Sequence, residues 1–148
     1  MGAAFASHGG MRDAIVGSVR VLVVEDDRPI AQMLASILSD EGYEVDLTVN
    51  GRLALEKIRA HDYDLILTDL RMPELDGVEL YRELESRQPE LVRRIIVITG
   101  TSGHPEYQAF LAETQVPVLE KPFSLSAFQK LTAQVLASAK PPAALPRR

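Results

Sequence analysis

Five short apolar runs, each followed by polar residues and then by a helix-length pattern, most constrain what this chain can become. The first run, Val19-Arg-Val-Leu-Val-Val24, is rich in β-branched residues, long enough for a buried strand and too short for a typical helix. Glu25-Asp26-Asp27 follow, and then Pro29, which suits a first helical turn because the N–H it lacks would be unpaired there anyway. Ile30, Met33, Leu34, Ile37 and Leu38 recur at helical spacing and predict an amphipathic helix that stops near Gly42.

The pairing repeats along the chain. Strands are expected over Tyr43–Thr48, Asp64–Thr68, Arg94–Thr99 and Val116–Leu119. Helices are expected over Gly51–Ala60, Val78–Arg87 and Pro105–Glu113, the last with Tyr107, Phe110 and Leu111 as its apolar side. A final helix starts at Ser124, a natural cap, and is expected to bury Leu125, Phe128, Leu131 and Val135. Strands alternating with helices imply βαβ units and a mostly parallel sheet covered on both faces. Right-handed crossovers favour the doubly wound, flavodoxin-like α/β order 2-1-3-4-5, whose ligands gather beyond the carboxyl ends of the strands. Residues 1–18 read as a flexible N-terminal extension, 19–138 as the folded body, and 139–148, with three prolines, as a flexible tail or linker.

Bulk properties exclude several classes. The chain has 148 residues, ordinary hydrophobic content and no cysteine, so a disulfide framework, a thiolate metal site and a thiol nucleophile are all ruled out. The lack of thiols suits a cytoplasmic setting. A net charge of −5 and only short arginine pairs argue against direct nucleic-acid binding. No apolar run approaches the roughly 18 residues of a membrane span. The start lacks the basic region and apolar core of a signal peptide, and Ala6 breaks the myristoylation pattern. His8, His61 and His104 have no partner at ligand or triad spacing and read as solvated side chains.

Polar residues at the strand ends carry the chemistry. The first strand runs into Glu25 and Asp26, the third into Asp69, the fourth ends at Thr99 and the fifth runs into Lys121. In the order 2-1-3-4-5 the first and third strands are neighbours, so three carboxylates meet at one switch point. Like charges so close repel and raise one another's pKa. A hard divalent cation relieves that repulsion, and Mg²⁺, which takes oxygen ligands and keeps several waters, fits two or three carboxylates and a carbonyl. Lys121 and Thr99 add a cation and a hydroxyl able to meet the oxygens of a phosphoryl group in transfer. A carboxylate can accept that group as an aspartyl-phosphate, and Asp69, central to the cluster, is the best placed.

These residues resemble a known family. Val-Val-Glu25-Asp26-Asp27, Asp64-Leu-Ile-Leu-Thr-Asp69-Leu-Arg-Met-Pro-Glu-Leu-Asp-Gly77, Ile-Thr99-Gly100 and Glu-Lys121-Pro122-Phe123 are similar to the response-regulator receiver domain of two-component signalling, over residues 19–138. The resemblance implies Glu25, Asp26, Asp69 and the backbone carbonyl of Arg71 as the Mg²⁺ (or Mn²⁺) ligands, and Asp69 as the phosphoacceptor. It implies that Thr99 and Lys121 contact the phosphoryl oxygens, that Gly100 leaves room beside them, and that the Lys121–Pro122 bond is cis. Asp27 is expected to cap the first helix rather than bind metal. A histidine kinase or histidine phosphotransfer protein is the expected donor. A phosphorylation-dependent homodimer through the helix 4–strand 5–helix 5 face is a further expectation, and the downstream target is unknown.

Three positions qualify the resemblance. Arg71 and Thr101 fall where the family lines the path of the hydrolytic water, and Arg71 is expected either to order the phosphoryl group or to point into solvent. Val118 stands where receivers usually carry a Tyr or Phe rotamer switch, a form of the fifth strand that resembles receivers of hybrid histidine kinases. Competing readings are a phosphate-independent pseudo-receiver and an aspartyl-phosphate phosphatase. Against the first, no acid, threonine or lysine is missing; against the second, Arg71 occupies the place of its second acid. A nucleotide-binding relative has no phosphate-loop motif to support it.

Overall fold

A computed structural model describes residues 18–100 and 103–139. The expectations for the extension, the tail and Thr101 lie outside the described residues, apart from Ser18 and Ala139. Five strands, β1 (Arg20–Val24), β2 (Glu44–Thr48), β3 (Leu65–Thr68), β4 (Ile95–Thr99) and β5 (Val118–Glu120), alternate with five α-helices. The helices are α1 (Arg28–Asp40), α2 (Gly51–Ala60), α3 (Gly77–Arg87), α4 (Pro105–Thr114) and α5 (Leu125–Ala139), with a 3₁₀ turn over Pro89–Arg94 between α3 and β4. The sheet has the order β2-β1-β3-β4-β5, and every pairing is parallel. The expected doubly wound architecture is the one observed.

Both faces of the sheet are covered, and strand residues alternate between them. Leu22, Val24, Ile66, Ile95 and Val97 pack with Ala54 and Ile58 of α2, Leu80, Tyr81 and Leu84 of α3, and Tyr107 and Phe110 of α4. Val21, Val23, Leu65, Leu67, Ile96 and Ile98 face Leu34 and Leu38 of α1 and Phe128, Val135 and Leu136 of α5. This double covering explains why β1, β3 and β4 read as continuous apolar runs rather than alternating ones.

The helix starts follow the capping chemistry of their sequences. Asp27 accepts a hydrogen bond from the Ile30 N–H at 3.1 Å, which bears out its role as a cap. Asn50 caps α2 through the Leu53 N–H at 2.8 Å, and Ser124 receives the Ala127 N–H at 3.0 Å. Asp76 and Glu79 form a reciprocal capping box at the start of α3.

Three expectations need correcting. β5 begins two residues later than expected, because Pro117 has no N–H to give the ladder; its carbonyl still accepts from Val97 at 2.9 Å. Arg94 closes the 3₁₀ turn instead of opening β4, and its guanidinium donates to the Tyr63 carbonyl at 2.8 Å. Leu125 and Met33 are not buried: they are 52% and 44% exposed. Each lies on the rim of its helix's apolar stripe, where no neighbouring element covers it.

Phe128 is buried in the cluster on the α1–α5 face of the sheet and stacks on Phe123, with ring centroids 5.7 Å apart. Phe128→Ala is expected to lower stability by about 3–5 kcal/mol, read as a lower urea midpoint at unchanged slope.

Candidate functional site

The carboxyl ends of β1, β3, β4 and β5 bring the expected residues to one edge. Glu25 and Asp26 directly follow β1, Asp69 directly follows β3, Thr99 is the last residue of β4, and Lys121 directly follows β5. Carboxylate oxygens of Glu25, Asp26 and Asp69 all lie within 4.8 Å of one another. Glu25 and Asp69 are buried, Asp26 is exposed and Thr99 has no accessible surface. Lys121 sits among them: its Nζ donates to Asp69 Oδ2 at 2.9 Å and to Glu25 Oε1 at 3.2 Å.

Backbone contacts hold each group in place. The Asp69 N–H donates to the Val24 carbonyl at 3.2 Å, and its Oδ1 accepts the Leu70 N–H at 2.7 Å. Glu25 Oε2 accepts the Asp27 N–H at 3.1 Å, and the Glu25 N–H reaches the Thr48 carbonyl at 2.9 Å. The Lys121 N–H bonds the Thr99 carbonyl at 3.0 Å, so the ammonium is carried by the β4–β5 ladder. The Lys121–Pro122 peptide is cis, as expected.

The electrostatics are those of crowded negative charge. Burial pushes the Glu25 carboxyl above the usual range, the Asp69 charge adds to this, and the Asp27 N–H and Lys121 partly offset it. Raised in the fold, Glu25 contributes stability that is lost as pH rises through its titration. Burial by itself would lower the Lys121 pKa, but its bonds to Asp69 and Glu25 outweigh that and raise it. An arrangement of three converging carboxylate oxygens, two of them on buried groups, is a donor set suited to a hard divalent cation.

Arg71 does something the sequence did not suggest. Its side chain turns to α4, where its guanidinium meets Glu106 Oε2 at 3.1 Å and lies over the Tyr107 ring, 5.9 Å from the centroid. It is therefore exposed, as the solvent-facing alternative has it, but it is paired with α4 rather than with the acid cluster. Nothing in the spacing marked Glu106 as its partner, since contact across 35 residues depends on how α4 is placed. Space is open at Gly100, in line with the expectation that it leaves room: among the described residues beyond its chain neighbours, a Cβ there would meet only Lys121 Cβ, at 4.0 Å. Gly77, by contrast, has an unexpected role. A Cβ there would stand 2.3 Å from the Asp69 carbonyl oxygen, so the start of α3 can press against the Asp69 backbone only as glycine.

Comparison with known proteins agrees with this geometry. Residues 21–133 match the family model of the response regulator receiver domain. The chain is 40% identical over 107 residues to the response regulator MprA of Mycolicibacterium vanbaalenii, a match covering 72% of this chain and 46% of that protein. It thus spans about half the length of the mycobacterial relatives it matches. Among solved structures, the signal receiver domain of a histidine kinase from Syntrophus aciditrophicus superposes with a TM-score of 0.76 at 29% identity, covering 87% of this chain and 98% of that one. The receiver domain of the sensor histidine kinase PA1611 from Pseudomonas aeruginosa, described with a magnesium ion coordinated in its active-site cleft, has a TM-score of 0.73 at 27% identity, covering 81% and 98%. The family match, on a sheet of this order with acids and a lysine at its carboxyl edge, defines a receiver domain, a signalling module. The chain belongs to the response regulator receiver domain family of two-component systems.

The Gly77 contact has a measurable consequence. Gly77→Ala is expected to cost about 1–3 kcal/mol through overpacking. Gly103→Ala, where no atom of the described residues beyond its chain neighbours lies within 4 Å of the added Cβ, should stay within about 0.5 kcal/mol of the parent. Thermal denaturation of the two variants makes the comparison.

Proposed function

We propose that this chain is a phosphorylation-dependent switch, which takes a phosphoryl group from a phosphohistidine protein onto Asp69 in the presence of Mg²⁺. The observation that carries the reading is the Lys121 ammonium bridging Asp69 and Glu25 beside Asp26. Glu25, Asp26, Asp69 and the Arg71 carbonyl would hold the metal, with Mn²⁺ as a substitute. When bound, the ion supplies positive charge that offsets the carboxylates and the phosphoryl oxygens.

The residues of the chain do the rest. A carboxylate oxygen of Asp69 attacks phosphorus in line. The N–P bond of the phosphohistidine breaks, and its electron pair returns to the imidazole nitrogen, which takes a proton from water. Lys121, already pointed at Asp69, stays with the phosphoryl oxygens, and Thr99 offers its hydroxyl to another. One carboxylate charge becomes a phosphoryl group of roughly −1.5 to −2, so the site gains about one negative charge and three outward oxygens. The α4–β5–α5 face responds and is read by a partner or a second copy of the chain.

A groove beside the site supports a protein donor. Ile30, Met33 and Ile37 of α1 face Phe123 and Leu125 across a largely apolar recess of about 570 Å³ that reaches Lys121 and Pro122. A donor seated there would bring its phosphohistidine to Asp69. The chain itself we place in the cytoplasm, where a histidine kinase or histidine phosphotransfer protein would meet it; none of its described helices is long and apolar enough to cross a membrane.

Incubation with acetyl phosphate and Mg²⁺ should add one phosphoryl group to the wild type by intact mass and none to Asp69→Ala. Equal labelling of the two, or none of the wild type, would sink the proposal. Met33→Glu is expected to slow transfer from a phosphorylated histidine phosphotransfer protein roughly tenfold, as the loss of one buried apolar contact implies. Its labelling by acetyl phosphate should remain at the wild-type rate, because the small donor needs no groove.

A further inference from the structure

The attachment of α4 is unlike that of the other helices. Tyr107 and Phe110 anchor its inner side. Its two ion pairs to the neighbouring segments both come from arginines on the α3 side: Arg71 to Glu106 at 3.1 Å and Arg82 to Glu113 at 3.0 Å. On its other side a cleft of about 440 Å³ opens between α4 and β5, lined by Gly103, Gln108, Leu111, Ala112, Val118 and Glu120. Among the described residues, the helix is thus tied by ion pairs on the α3 side and bordered by a cleft on the β5 side. The Arg82 tie belongs to the scaffold, because Arg82 also pairs with Glu85 of its own helix and lies over the rings of Tyr81 and Phe110. The Arg71 tie starts two residues after Asp69. Glu106 is shared in turn, with His104 Nδ1 3.7 Å from the same carboxylate oxygen.

Arg71 has two anions in prospect. Arg71 follows Asp69 by two residues at the carboxyl edge of the sheet, and its guanidinium rests over the Tyr107 ring, 5.9 Å from the centroid. A phosphoryl group on Asp69 would extend outward with more charge than a carboxylate and with oxygens spaced for the guanidinium fork. Glu106 is a half-exposed monoanion and the weaker competitor.

We propose that Arg71 is a latch between the acceptor loop and α4: it holds Glu106 before phosphorylation and exchanges it for the phosphoryl group afterwards, freeing the start of α4 to move toward the cleft beside Val118. The latch rests on Asp69 being the acceptor. It makes Arg71 a positioning residue for the output helix and requires no aromatic side chain at position 118. Its strength is bounded, since a single exposed ion pair changes an equilibrium by up to about fivefold. The latch thus biases α4 and does not lock it.

Hydrogen exchange of the α4 amides tests the latch, with intact mass recorded on the same samples. Before phosphorylation, Glu106→Gln and Arg71→Gln should each raise exchange across Pro105–Thr114 by a few-fold, up to about fivefold. The double variant should show no more than either single change, because both remove one contact. Arg52→Gln, which breaks the pairs of Arg52 with Glu56 and Glu74, should leave α4 unchanged. Acetyl phosphate and Mg²⁺ should raise α4 exchange in the wild type by a similar factor, and much less in Glu106→Gln at equal phosphoryl gain. Wild-type exchange in unphosphorylated Glu106→Gln overturns the latch, and so does an equal response of the two proteins to phosphorylation. A wild type that gains no phosphoryl mass overturns the acceptor reading and the exchange step with it, while the Arg71–Glu106 tie is still judged from the unphosphorylated samples.

Discussion

Two buried carboxylates stand side by side at the carboxyl edge of the sheet, and one ammonium keeps them there. Parallel pairing of β1 with β3 places Glu25 and Asp69 at adjacent strand ends, and their repulsion would favour a looser edge if nothing opposed it. Lys121 opposes it from β5, two strands from β1's neighbour β3, so the contact draws both ends of the site toward β4, which lies between. Its backbone N–H is tied to Thr99, which links the ammonium's position to the strand that carries the hydroxyl. Acid, hydroxyl and cation thus belong to one hydrogen-bonded ladder, and a register slip in any strand would separate them.

How the chain could be read follows from the range of each interaction. Strands buried on both faces announce themselves as unbroken apolar runs, and caps lie within a turn of the helix they start, so β1, β3, β4, Asp27 and Ser124 were legible. The acids and the lysine were legible because a parallel sheet puts every strand's carboxyl end at one edge, whatever the loops do. Contacts between loops and helices were not. Arg71 meets Glu106 across 35 residues because α4 happens to lie there, and no local pattern encodes that placement. Periodicity also says which side of a helix is apolar without saying how far the cover extends, hence the exposure of Met33 and Leu125. The presence of a glycine after Asp76 was visible, but that it touches the Asp69 carbonyl required the fold.

The two sides of the site differ in character. Toward α1 and α5, the Lys121–Pro122 segment borders an apolar recess, a surface made to be covered. Toward α4, the contacts are charged and partly exposed, and the buried apolar anchors are Tyr107 and Phe110, with Leu111 packed partly buried beside them. Apolar contacts suit the arrival of a large partner, whereas exposed ion pairs are weak, quickly exchanged and sensitive to any new charge nearby. On the proposed function, input and output would therefore occupy opposite flanks of one small site without competing for the same side chains.

The glycine at the head of α3 adds a last consequence. With no room for a Cβ against the Asp69 carbonyl and its N–H bonded to the Leu70 carbonyl at 2.8 Å, Gly77 leaves the main chain under Asp69 little slack. If Asp69 takes the phosphoryl group as proposed, it is in effect a fixed address: a donor must deliver to that point, since the point does not travel to meet the donor. Discrimination among donors then falls to the surfaces around the address, which can diverge freely while the address stays the same. Such a design lets one scaffold be rewired to new partners by changing its rim alone.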